Sequence, residues 1–226
     1  MFNSAPNLSP GEKLIAEERD VTGGALRIND AYDLFLLQKP SGDYELRLFM
    51  KVQFFFKDDG MYKWSPTEKK NFIQSWESRI RQIWDGHVLR VLSGNKQVKL
   101  GLAFQIQIDG FMFDHWEITV KKVPPGSVFR SFVRPGMKDV TLTENDNGVT
   151  VRKVRKAGSF QQITSAHEFG HMIGLDDEYG PLFGGTSGLH NNDYASLMNI
   201  GSKVRKRHTI YLLNWLNSAL SKHNIK

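Results

Sequence analysis

The chain has 226 residues, 40% of them hydrophobic and 24% charged, with a net charge of +6. This length supports a sizeable hydrophobic core, and the balance is that of an ordinary globular protein rather than a disordered or repetitive one. No cysteine is present, which excludes a disulfide framework and a thiol latency switch, and leaves only N and O donors for any metal. The basic excess suits acidic partners, but a solvated basic face accounts for it more simply.

Residues 1–40 are expected as an N-terminal arm, with 41–226 as the functional domain. Ser9-Pro10-Gly11-Glu12 has the residues to cap a short helix running to Glu18. Met1 to Ala16 lacks a basic start followed by an apolar run, so no classical signal peptide is expected. A cytoplasmic protein, or one exported by a dedicated route, follows as the expectation. No stretch is long and apolar enough to span a membrane.

Tyr44 to Phe56 alternates apolar and polar residues, as a half-buried strand does. Ser65-Pro66-Thr67-Glu68 then predicts a capped helix start. Phe72, Trp76, Ile80, Ile83 and Trp84 form one apolar stripe along that helix. Further strands are predicted around Val98 to Ile108 and Trp116 to Val120. Val140 to Leu142 and Val149 to Val151 flank Asn145-Asp146-Asn147-Gly148, which predicts a hairpin. The basic run Arg152 to Lys156 reads as a solvated linker; it has no interleaved aromatics and no nucleic-acid fold signal, so nucleic acid is not expected as a partner.

The chemistry lies in His167-Glu168-Phe169-Gly170-His171-Met172-Ile173-Gly174-Leu175-Asp176-Asp177. On a helix over Gln161 to Ile173, His167 and His171 stand one turn apart on one face and can hold a divalent ion together. Glu168 can take a proton from a metal-bound water without occupying the metal. Gly174 lets the helix end in a left-handed turn that brings back a third ligand. Asp177 stands at the right distance for that role, with Asp176, Glu178 and Asp193 as competitors. A catalytic zinc ion suits such a set.

A glycine-rich loop follows (Gly180, Gly184, Gly185, Gly188, Gly201) with His190, Asn191, Asn192 and Asp193 inside it. Thr209 to Ser221 reads as a closing helix.

The run resembles the metzincin signature H-E-x-x-H-x-x-G-x-x-H, with Asp177 in place of the third His. It is closest to the snapalysin-like variant, whose third ligand is an Asp. Ser196-Leu197-Met198-Asn199 resembles that family's methionine turn, where Met198 would form a hydrophobic floor under the metal. The resemblance covers about Ser165 to Asn199. It implies an α+β fold: a mixed twisted sheet with a backing helix and an active-site helix (41–175), then a smaller C-terminal subdomain ending in a helix (176–226). It also implies an edge strand along the cleft, expected near Phe129 to Val133 or in the 140–151 hairpin. Ile200 stands where several metzincin groups have a Tyr, so Tyr179, Tyr194 and His190 are the remaining candidates for contact with substrate or transition state.

The implied activity is a zinc-dependent endopeptidase acting on a protein or peptide, with Glu168 as general base. One alternative is a delivered toxin or effector cutting a host protein or a peptidoglycan crosslink, which would bring an inhibitor or delivery machinery as partners. Another is a metal-binding scaffold without catalysis.

Overall fold

The computed structural model describes residues 8–110, 115–124, 126–127, 129–179 and 189–226. The glycines expected to shape the loop after Asp177 (Gly180, Gly184, Gly185, Gly188) lie outside them. Among the described residues the fold is α+β, with a mixed sheet and three α-helices.

The sheet is built around β3 (Tyr44–Lys57), its longest strand among the described residues. Before it run β1 (Lys13–Gly23) and β2 (Ile28–Gln38); after it come α1 (Pro66–Trp84), β4 (Val88–Val91), β5 (Gln97–Ile108) and β6 (Trp116–Lys121). One edge of β3 pairs along its length with β5 in parallel. The other edge is shared: its first half pairs with β2 antiparallel and its second half with β6 in parallel. The sheet therefore forks at β3. One branch ends at β1; the other continues through β8 (Asp139–Thr143) to β7 (Phe132–Arg134) at the edge.

Leu46, Leu48, Met50, Val52 and Phe54 of β3 are fully buried beneath α1. Each such side chain contributes about 1.5–3 kcal/mol of burial. The capping box is formed: Glu68 N–H donates to Ser65 Oγ at 3.3 Å, and Ser65 N–H to Glu68 Oε2 at 2.8 Å. The predicted stripe faces the sheet, with the Trp76 ring edge-on to Phe54 and Phe104 at 5.2 and 5.0 Å.

Four expectations are corrected. The described part of the 1–40 arm is no arm and holds no helix to Glu18: β1 and β2 belong to the sheet, and Val21, Ile28, Leu34 and Leu36 lie in its core. The hairpin around Asn145 to Gly148 does not form. Both edges of β8 are taken, by β6 and β7, so β9 (Val149–Val154) has no edge to join there. Instead the Asp146 carboxylate accepts from Thr143 N–H and the Ser131 hydroxyl, and the chain leaves the sheet. β9 pairs with β10 (Gly158–Ile163), so Arg152 to Lys156 is strand and turn rather than linker. The histidine helix is also shorter than expected. Gln161 to Ile163 are strand, and α2 is Thr164–Met172.

Helix α3 (Ile210–Lys222) closes the chain, burying Leu212, Leu216, Ala219 and Leu220. Ile210, at its start, is exposed. Among the described residues, no helix is long and apolar enough to cross a membrane.

Candidate metal centre

Helix α2 lies against α1, with the Phe169 ring 5.8 Å from Trp84 and Trp84 Nε1–H donating to Ala166 O at 3.1 Å. Its apolar face is thus fixed in the core, and its histidine face is turned to a cleft of about 1350 Å³. At its end, Leu175 N–H donates to Gly170 O at 3.0 Å and Gly174 N–H to His171 O at 2.9 Å, around Gly174 at φ 92°. These are the two bonds of a Schellman motif, which needs a left-handed residue at this point. The turn redirects the chain so that Asp177 comes back beneath the histidines.

His167 Nε2 and His171 Nε2 each lie 3.2 Å from Asp177 Oδ1. The three side chains form a group that can hold a metal ion. Their tautomers follow from their other ring nitrogens. His167 Nδ1 lies 2.7 Å from Leu197 O, and His171 Nδ1 lies 2.8 Å from Leu175 O. A carbonyl only accepts, so each Nδ1 carries the proton and each Nε2 presents a lone pair. Two imidazole lone pairs and a carboxylate oxygen therefore converge, and Asp177 Oδ1 is buried without a hydrogen bond. That arrangement is repulsive unless a positive charge sits among the three atoms. Ligands about 2.0–2.1 Å from a tetrahedral ion lie about 3.3 Å apart, which matches the 3.2 Å spacing. In the metal-free protein a proton on His171 Nε2 meets the same need. Burial disfavours an imidazolium at His171, but the Asp177 carboxylate and the charge of Glu168 outweigh it and raise its pKa to about 9. In turn, His167 and His171 hold Asp177 below the usual carboxylate range despite its burial.

A second group, Asp20, Asp33 and His115, has a superficially similar composition. There the backbone N–H of Lys51 donates to His115 Nδ1 at 3.1 Å. Nδ1 is the acceptor, so Nε2 carries the proton and faces Asp33 Oδ1 at 3.4 Å. Arg19 adds a positive charge 3.3 Å from Asp33 Oδ2. His115 therefore offers no imidazole lone pair to a metal, although its Nε2 is buried without a hydrogen bond among the described residues.

The competitors for the third position are engaged elsewhere. Both Glu178 oxygens accept from Arg207 at 2.5 and 2.7 Å, and His208 lies 3.1 Å from Oε1. Asp193 pairs with Arg205 and Arg207. Asp176 Oδ1 accepts the N–H of Asp177 at 2.9 Å, which helps to orient that residue.

Glu168 is buried and lines the cleft beside the histidines. Burial raises its pKa; the histidines oppose this and Asp177 adds to it. A carboxylate raised in this way is suited to accepting and returning a proton.

Met198 is buried against α2: a Cβ built on Gly170 would meet its Sδ at 2.3 Å. The turn that carries it also supplies the Leu197 carbonyl to His167, and its Met198 carbonyl accepts Glu178 N–H at 2.8 Å. Gln162 Nε2–H donates to Asn199 O at 2.8 Å, tying β10 to the same turn. The Tyr179 ring lies nearly parallel to His167 at 6.2 Å, and its hydroxyl bonds to Asp177. Tyr194 lines the cleft further out, against Phe160 at 5.7 Å. His190 is not part of the ligand group; its carbonyl accepts Asp193 N–H.

Sequence reasoning missed the contribution of the N-terminus to this site. The turn between β1 and β2 packs on the Schellman turn: Leu26 N–H donates to Gly174 O at 3.1 Å, and a Cβ on Gly24 would meet that oxygen at 2.4 Å. The paired Gly23-Gly24 was the available signal.

The chain matches no family model and no curated protein sequence.

Proposed function

We propose that the protein is a zinc-dependent endopeptidase of the metzincin type, with His167, His171 and Asp177 as ligands and Glu168 as general base. The observation that carries this reading is the convergence of two Nε2 lone pairs and Asp177 Oδ1 at 3.2 Å in the wall of an open cleft. The zinc ion, when bound, would polarise both the attacking water and the scissile carbonyl. Glu168 would accept the proton of that water and return it to the leaving amine. The Leu197 and Leu175 carbonyls hold the two imidazoles in the tautomer that presents Nε2. Tyr179 steadies Asp177 by its hydroxyl and His167 by its ring. Met198 closes the apolar floor beneath α2.

The test is cleavage of an unfolded, casein-like protein by wild type and Glu168→Ala, each assayed for zinc. About one zinc per chain in both, with chelator-sensitive cleavage only in wild type, is the expected result. Undiminished turnover by Glu168→Ala would remove the assignment.

A further inference from the structure

The basic run between β9 and β10 borders the cleft. In the register of that hairpin, Thr150 pairs with Gln162 and Arg152 with Phe160. Paired residues share a face, so Arg152 lies on the face that carries Gln162 and Phe160. That is the site's face: Gln162 is bonded to Asn199 beneath His167, and Phe160 packs on the cleft residue Tyr194. Lys153 and Arg155 stand at the rim of the same cleft. All three are exposed, and none has an ion pair among the described residues. The cations of the neighbouring turn contrast with them, since Arg205 and Arg207 are each paired with carboxylates. Arg130 lines the cleft as well.

The carboxylates of the cleft (Asp146, Glu168, Asp176, Asp177) equal its cations (Arg130, Arg152, Lys153, Arg155) in number, so a divalent ion decides the sign. Asp177 faces two imidazoles, and Asp146 is held by Ser131 and Thr143. With a divalent ion in place, the potential in the cleft is positive, and low-dielectric walls concentrate it. A two-stranded hairpin leaves its outer backbone edges unpaired among the described residues, and such an edge beside a guanidinium can pair with extended peptide and read its side chains together.

We infer that the β9–β10 hairpin is a substrate rail that selects peptide segments with Asp or Glu side chains next to the bond to be cut, through Arg152, Lys153 and Arg155. This inference rests on the peptidase reading of the cleft and names its substrate class.

The test uses zinc-loaded Glu168→Ala protein and three fluorescent peptides of one length, with Glu, Gln or Lys flanking a common centre, read by anisotropy. The Glu peptide should bind about tenfold or more tightly over the Gln peptide, less so at high salt. An Arg152→Ser/Lys153→Ser/Arg155→Ser variant with unchanged melting temperature should lose that preference. Equal binding of the Glu and Gln peptides would overturn the inference. So would a single-stranded oligonucleotide that displaces the Glu peptide at lower concentration, which would make the hairpin a nucleic-acid contact. Hydrolysis by wild type separates the two proposals. Selective binding with no cleavage of any peptide defeats the peptidase reading alone, and cleavage of all three at equal kcat/KM defeats the rail alone.

Discussion

Leu26 donates its backbone N–H to the Gly174 carbonyl at 3.1 Å, joining the turn between the first two strands to the turn that ends the ligand helix. Gly174 has φ 92° and Gly24 φ 38°, and a Cβ on either would fall within 2.4 Å of the other turn's backbone. A shift of the Gly174 turn would carry Asp177, three residues on, with it. Gly174→Ala and Gly24→Ala should each cost about 1–3 kcal/mol, read as a lower urea midpoint. Gly174→Ala should also weaken zinc binding, because it shifts the third ligand.

Gly170 and Met198 should be coupled. The Met198 sulfur occupies the space that a Cβ on Gly170 would need, so Gly170→Ala overpacks the floor of the site by about 1–3 kcal/mol. Adding Met198→Ala opens that space. A double-mutant cycle should therefore show the pair less destabilised than the sum, by about 0.5 kcal/mol or more. Strict additivity would mean that the two do not share the space.

Glu178 should shape the acid limb of stability. Burial raises its pKa, but Arg207, His208 and Ser196 outweigh this and hold it well below the usual carboxylate range. A lowered folded-state pKa contributes stability above the unfolded value of about 4.3, and that contribution is lost as pH falls toward the folded value. Unfolding free energy should therefore drop from about pH 4.3 downward. Glu178→Gln should cost about 2 kcal/mol at pH 7 and flatten this limb, so that the two proteins converge in strong acid. Parallel pH profiles would contradict the assignment.

Metal should stabilise the fold by linkage. Zinc at one hundred times its Kd should add about 2.7 kcal/mol to unfolding, reversed by chelator. Glu168→Ala should keep this gain, since Glu168 is not in the ligand group, whereas His171→Ala should lose it.

The sequence was most readable where one local rule decides the outcome. Ser65 and Glu68 announce the start of α1, and the stripe from Phe72 to Trp84 announces its buried face. The approach of His167, His171 and Asp177 follows from helix spacing and a glycine turn. Other features depend on partners far away in the chain. The carbonyls of Leu197 and Leu175 set both imidazole tautomers, yet every residue has a carbonyl, so no residue type marks them. β1 is hidden because register shifts near Ala16, Val21 and Gly23 break its alternation. β2 is hidden for the opposite reason: Leu34 and Leu36 are buried on one face, Phe35 and Leu37 on the other, so no period of two remains. Asn145 to Gly148 has good turn residues, but strand pairing is decided by free edges, and β8 has none.

The central claim is that three named side chains form one metal centre, and calorimetric titration of metal-free protein with zinc tests it most directly. Wild type should bind one zinc per chain. Asp177→Ala should weaken that binding by about a hundredfold or more, while Asp176→Ala, which removes the acceptor of the Asp177 N–H but no ligand atom, should weaken it far less. A wild type that binds no zinc, or an Asp177→Ala protein that binds it as tightly as wild type, would contradict the account.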